Sequence, residues 1–91
     1  MVINKILTMK SDDRGVIYSC GNARVVKRKK GTISADHSHS DPETNFLIQG
    51  KIELTEGDNI NIIEAPAQMN FESEVFHKIL ALTDIILIYF K

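Results

Sequence analysis

The chain has 91 residues, of which 43% are hydrophobic and 25% are charged, and its formal net charge is -1. This length suits a single domain with one small core, and the composition is typical of a globular protein rather than a disordered one. The near-neutral charge argues against a nucleic-acid-binding protein, and the single cysteine, Cys20, excludes an internal disulfide. Because the N-terminal apolar run is too short for a signal peptide, we expect a cytoplasmic protein.

Ten short segments that favour β-structure alternate with turn residues along the chain. The predicted strands are residues 5–9, 16–19, 23–29, 32–39, 45–49, 51–55, 60–64 and 69–72, a strand that contains His77, and residues 85–90. Turn sequences such as Cys-Gly-Asn and Glu-Gly-Asp separate them, and no window of helical length carries a capped apolar stripe. The pattern predicts an all-β protein, a sandwich or barrel of short strands.

The most apolar segment, residues 79–90, is apolar at ten of its twelve positions. It is too short to span a bilayer. Such a segment is expected either at the centre of the barrel or beneath a partner subunit, since an exposed edge of this composition would aggregate. For so small a domain the pattern favours a homodimer.

Every histidine of the chain belongs to one predicted cluster. His37 and His39 are two residues apart, so on a strand both side chains point to the same face. Glu43 follows after a Ser-Asp-Pro turn, and His77 lies on a later strand that could return to the pair. Three imidazoles and one carboxylate are a donor set for one divalent transition metal, namely Fe, Mn, Co, Ni, Cu or Zn.

The spacing of Gly31, His37, His39, Glu43 and Gly50 resembles the complete first motif of the cupin superfamily. The resemblance implies a double-stranded β-helix, that is, a jelly-roll barrel of short antiparallel strands. It further implies that the two histidines and the glutamate bind a metal inside the barrel. The two glycines would then be structural turn residues.

The second cupin motif is matched more loosely. His77 takes the place of its histidine and Phe71 the apolar position before the turn, whereas Pro66, Glu72 and Glu74 stand where glycine, proline and glycine are common. The resemblance therefore implies His77 as the fourth ligand. It covers residues 31–91, so residues 1–30 supply N-terminal strands and a turn to a single domain of residues 1–91.

The remaining predictions concern the wall of the barrel. Glu43 and Tyr89 are the polar candidates for a catalytic role. Mainly apolar side chains are expected to line the pocket: Phe46 (with Leu47 as its alternative), Ile48, Ile52, Met69, Phe71 and Ile79.

Three functions fit these features, and the sequence leaves open whether the protein is an enzyme. The first is a metal-dependent oxygenase, isomerase or lyase that acts on a small polar molecule. The second is a non-catalytic module that binds or senses a small ligand. The third is a nucleotide-sugar isomerase or epimerase that uses a histidine as general base and needs no metal. Because one fold serves all three, the fold cannot choose among them.

Overall fold

The structure, a computed structural model, describes residues 1–37 and 41–90, with residues 35–37 described by their backbone alone, and it contains ten β-strands there and no helix. The strands are β1 (Leu7–Asp12), β2 (Gly15–Cys20), β3 (Ala23–Arg28), β4 (Ile33–His37), β5 (Glu43–Gln49), β6 (Lys51–Glu56), β7 (Asn59–Glu64), β8 (Ala67–Phe71), β9 (His77–Ala81) and β10 (Ile85–Phe90).

Two antiparallel sheets form the molecule. One has six strands in the order β1-β2-β3-β10-β5-β8, and the other has four in the order β4-β9-β6-β7. From β3 to β6, and again from β7 to β10, the chain changes sheet at each step. Two sheets joined by such crossings form a jelly roll, and the all-β prediction is confirmed.

The observed strand bounds differ from the predicted ones where local pairing extends a strand. The first strand was expected over residues 5–9, yet β1 continues to Asp12, which pairs with Gly15 across a two-residue turn. Asp12 holds this turn, because its Oδ1 accepts a hydrogen bond from the Arg14 backbone N–H at 2.9 Å. The eighth strand begins earlier than expected, since Ala67 already pairs with Leu47 of β5.

The core lies between the two sheets, where the side chains alternate between buried and exposed as a period of two requires. Its buried members come from β3, β5, β6, β8, β9 and β10 and are Val26, Leu47, Ile52, Leu54, Met69, Phe71, Ile79, Ala81, Ile85 and Leu87.

The apolar C-terminal segment supplies central strands to both sheets. Strand β9 lies between β4 and β6, and β10 lies between β3 and β5, so each is paired on both sides. This position inside the barrel accounts for its composition. No helix in residues 1–37 and 41–90 has the length and apolarity to cross a membrane.

Candidate metal centre

His77 is the best-defined member of the candidate site. It begins β9 with only 1% of its surface exposed. Its Nδ1 lies 3.3 Å from the backbone carbonyl oxygen of Val75, two residues earlier. A carbonyl oxygen only accepts hydrogen bonds, so this contact requires the proton on Nδ1 and, in the neutral ring, leaves the lone pair on Nε2. That is the tautomer in which histidine commonly binds a metal, because a hydrogen bond from the second nitrogen fixes the ring.

Phe71 holds the His77 ring in a defined orientation. The two rings are stacked at a centroid distance of 4.2 Å and an interplanar angle of 5°. Phe71 belongs to β8 of the larger sheet and is itself buried. It is also the cross-strand partner of Glu43 on β5. Because Phe71 adjoins both residues, the first and second motifs meet at the same end of the barrel.

The backbone of β4 brings His37 opposite His77. These two residues are partners in the β4–β9 pairing, and the register shifts between Ser34 and His37. Such a shift is a bulge, which redirects side chains and is common beside functional sites. The side chain of His37 and the whole of His39 lie outside the described residues.

Glu43, which is half-buried at the start of β5, is oriented by a buried residue of the same strand. Its Oε1 accepts a hydrogen bond from Nδ2 of Asn45 at 2.7 Å. Asn45 lies two positions further along and therefore on the same face of the sheet, where it is 4% exposed. A buried amide that donates to a carboxylate restricts its rotamer. Sequence reasoning missed Asn45, although the period of two starting from Glu43 would have identified it.

A row of polar residues crosses the inner face of the larger sheet beside Glu43. Tyr89 of β10 pairs with Asn45 on one side and with Arg24 of β3 on the other. Arg24 in turn pairs with Ser19 of β2. Residues paired in this way share a face, and Tyr89 packs against the core cluster. This end of the barrel therefore has a polar inner wall.

A further carboxylate adjoins His77 in the smaller sheet. Glu56, the last residue of β6, is the register partner of His77 on β9. It shares the face of Leu54 and Ile52, which are buried. The sequence motif did not single it out, because only the β6–β9 pairing brings it to the histidine.

The predicted pocket wall requires a correction in β5. Phe46 and Ile48 were expected to line the pocket, but they lie on the face opposite to Glu43. Ile48 is 50% exposed, and the Phe46 ring makes an edge contact with Phe90 at a centroid distance of 6.0 Å. Leu47, which is fully buried, points inward instead. The other four predicted wall residues belong to the core: Ile52, Met69, Phe71 and Ile79.

The glycines and the atypical residues of the second motif occupy turns. Gly31 and Gly50 lie between strands with positive φ angles of 86° and 96°. Glu74, where glycine is common in the motif, also has a positive φ of 64°. Glu72 and Glu74 are both exposed, in the turn that leads into His77. The bond from Ala65 to Pro66 is a cis peptide bond.

The donor set fits a transition metal. It combines an imidazole with a defined tautomer, a carboxylate with a fixed orientation, and a second histidine brought opposite the first by strand pairing. No cluster of three His, Cys, Asp or Glu side chains occurs among the described residues, a set that lacks His39 and the His37 side chain.

Comparison with known proteins finds relatives through structure alone. No family model and no curated protein matches the chain. The capsular polysaccharide assembling protein CapF from Staphylococcus aureus has a TM-score of 0.75 and 21% identity over 94% of this chain and 30% of its own. An RmlC-like cupin from Shewanella frigidimarina has a TM-score of 0.70 and 18% identity over 81% of this chain and 69% of its own. Hydroxypropylphosphonic acid epoxidase from S. wedmorenis has a TM-score of 0.74 and 19% identity over 98% of this chain and 58% of its own.

These similarities identify the fold as that of the cupin superfamily, as the first motif predicted. The chain spans about 30% of the length of CapF. At identities of 18% to 21% the similarity establishes the fold alone.

Proposed function

We propose that this protein is a small metal-binding cupin whose centre acts on a small polar molecule. His37, His39, Glu43 and His77 would hold one divalent transition metal. The observation that carries the proposal is the environment of His77, which is buried, stacked on Phe71 and oriented through Nδ1 to a backbone carbonyl group. A buried histidine with this orientation presents Nε2 to the interior as a ligand.

The other proposed ligands gain support from the strands that carry them. His37 is opposite His77 in the β4–β9 register, and Glu43 is held by Asn45. Hydrogen bonds to a ligating carboxylate orient it and tune its basicity. Asn45 is therefore a positioning residue in this proposal.

The polar row on the larger sheet supports a polar substrate. Tyr89 would supply a phenol O–H, and Asn45 and Arg24 would supply N–H donors, to a molecule bound at this end of the barrel. The apolar residues behind them exclude water. When bound, the metal would supply Lewis-acid or redox chemistry to the substrate, while Glu43 or Tyr89 would move a proton.

The structural relatives favour oxidoreductase chemistry as the first activity to assay. One is named as an epoxidase and another as a salicylate 1,2-dioxygenase. A metal-dependent oxidoreductase acting on a small acid or phenol is the corresponding activity for this chain. The rivals, a non-catalytic ligand-binding module and a metal-free nucleotide-sugar isomerase, make different predictions in the assays below.

We further propose a single functional domain of residues 1–91 that is cytoplasmic and forms a homodimer. Strand β1 supports the dimer, because it is an edge strand with all six residues exposed. Leu7 and Met9 are among the exposed apolar side chains, and an exposed strand edge offers unpaired backbone groups to a second chain. Light scattering is expected to give twice the mass of one chain, and Leu7→Lys to reduce it to one. A monomeric wild type would contradict the dimer.

Metal content is the direct test of the centre. Tag-free protein, reconstituted with each candidate metal and desalted, is expected to retain about one metal ion per chain by elemental analysis. His39→Ala and Glu43→Gln should reduce retention by at least tenfold. Glu56→Gln is the matched control, because Glu56 adjoins His77 by register but stands outside the motif. Loss of metal in the control with retention in Glu43→Gln would show that the ligand assignment is wrong.

Measurements of turnover distinguish a metal-dependent oxidoreductase from the two alternative functions, the ligand-binding module and the metal-free isomerase. Oxygen consumption by the metal-loaded protein is measured with a panel of phenols, thiols and keto acids, with Glu43→Gln as the inactive control. Metal-dependent uptake supports the oxidoreductase. Metal-dependent thermal stabilisation by a ligand without turnover would establish the binding module instead, and turnover of a nucleotide sugar by the metal-free protein would establish the isomerase.

A further inference from the structure

A second candidate site lies at the end of the larger sheet opposite to Glu43. Arg28, the last residue of β3, pairs with Ile85 of β10, whereas Asn45 pairs with Tyr89 four residues further along β10. At about 3.3 Å per residue, the position of Arg28 opposite Ile85 and that of Asn45 opposite Tyr89 are roughly 13 Å apart along β10. The metal centre proposed above does not include this region.

Arg28 is a buried cation without a matching anion. The residue is 6% exposed. Within the described residues its Nε has no hydrogen-bond partner, and one Nη makes a long bond of 3.3 Å to the Lys27 carbonyl oxygen. Neither of the ion pairs found among these residues includes Arg28. A buried guanidinium group with so few partners is unfavourable unless an anion satisfies it.

The two nearby carboxylates each have a partner other than Arg28. Asp12 forms an ion pair with Arg14 at 3.1 Å, and Oδ1 of Asp84 accepts a hydrogen bond from the Lys30 backbone N–H at 2.9 Å. Burial and, to a smaller extent, the positive charge of Arg14 lower the pKa of Arg28 below its usual value, and the charges of Asp12 and Tyr89 offset only part of this effect. A guanidinium group nevertheless stays protonated at neutral pH.

Arg28 lines a cavity of about 360 Å³. Basic residues outnumber acidic ones in its wall, which contains Lys27, Arg28 and Lys29 against Asp84 alone. The excess of about two positive charges matches a phosphate group, which carries roughly -1.5 to -2 charges at pH 7. The planar fork of an arginine also suits the oxygen atoms of phosphate.

We propose that this cavity binds a phosphate group, with Arg28 as the central donor and Lys29 as a supporting charge. The ligand would be either inorganic phosphate or the phosphate of a small monoester. Because the site is distant from the ligands of the proposed metal centre, its occupancy requires no metal.

Thermal unfolding of the full chain tests the proposal with inorganic phosphate and with phenyl phosphate, against sodium chloride at equal ionic strength. At ten times the dissociation constant, phosphate is expected to raise the Tm of the wild type by roughly 6 °C or more. Arg28→Met should abolish the shift, and in phosphate-free buffer its Tm should be no lower than that of the wild type. A response to inorganic phosphate alone would identify the free ion, and a larger response to the ester a phosphorylated metabolite.

A second pair of variants keeps the test decisive if Arg28→Met does not fold. Lys29→Gln is expected to weaken phosphate binding about two- to fivefold. The Lys29 side chain is exposed, and the hydrogen bonds that Lys29 makes in the fold, to Arg14 and Thr32, use its backbone N–H and carbonyl groups, which the substitution keeps. Lys5→Gln should leave binding unchanged, because Lys5 is exposed and precedes the end of β1 that pairs with Ser19, far from the Asp12–Gly15 end beside Arg28. An equal shift in chloride, an equal response in Arg28→Met, or equal affinities of the two lysine variants would overturn the proposal.

Discussion

Replacement of Glu74 by glycine is expected to stabilise the protein. Glu74 has a φ of 64° and is the only non-glycine residue with a positive φ in residues 1–37 and 41–90. Its side chain is exposed, so the substitution removes little packing. A left-handed conformation costs a residue with a Cβ atom about 1–2 kcal/mol, whereas glycine adopts it freely.

The size of the gain follows from two opposing effects. Glycine relieves the left-handed strain, but it also increases the entropy of the unfolded chain by about 0.5–1 kcal/mol. The free energy of unfolding should therefore rise by about 0.5–1 kcal/mol. For a domain of this size such a change raises the Tm by roughly 2–8 °C.

The assay is thermal and urea unfolding of Glu74→Gly beside Glu72→Gly. Glu72 lies in the same turn and is also exposed, but it has no positive φ, so the control should lose stability by about 0.5–1 kcal/mol. Metal retention should be unchanged in Glu74→Gly, because the turn before His77 keeps its backbone conformation. A lower Tm for Glu74→Gly, or equal effects of the two variants, would refute the reasoning.

Three further predictions concern the connection between β5 and β6, the proposed metal centre, and the turn between β1 and β2. Gly50→Ala should destabilise the fold by about 2–4 kcal/mol in urea unfolding, because a Cβ at this φ of 96° would clash with the Asp84 carbonyl oxygen; near-wild-type stability would contradict the close approach. Asn45→Ala should weaken metal binding about 10- to 100-fold in chelator competition, and an unchanged affinity would remove its positioning role. The hydrogen bond from Arg14 holds the pKa of Asp12 below its usual 3.8, so Arg14→Gln should raise the midpoint of its carboxyl NMR titration. Because this pKa is depressed in the folded state, the stabilisation by the pair is present above the ordinary pKa and is lost as the pH falls through the folded value; a midpoint unmoved by Arg14→Gln would refute this cause.

Much of the fold could be predicted from the sequence because strands and turns are determined locally. Alternating apolar residues and two-residue turns identified ten strands in the correct order, and the motif bounded by Gly31 and Gly50 led to the cupin fold. The strand ends were less accurate. Asp12 belongs to β1 because it pairs with Gly15, and a pairing partner contributes as much to a strand as its own composition does.

The side chains of β5 show a second way in which prediction from the sequence fell short. Phe46 and Ile48 were assigned to the pocket by hydrophobicity, but the period of two places them with the outer face once Glu43 points inward. The buried polar residue Asn45 takes the inner position instead. Hydrophobicity alone misled here because a protein surface retains many apolar side chains.

The sequence by itself determined the all-β class, the cupin motif and the residue types of the proposed metal centre, since each depends on spacing along the chain. Tertiary structure decided which distant residues meet. It brought His37 opposite His77, stacked Phe71 on the His77 ring and buried Arg28 beside a cavity. These relations depend on the register between strands that are far apart in the chain. A local turn fixes the register only within a hairpin, whereas between distant strands it follows from which faces are buried when the two sheets pack around one core.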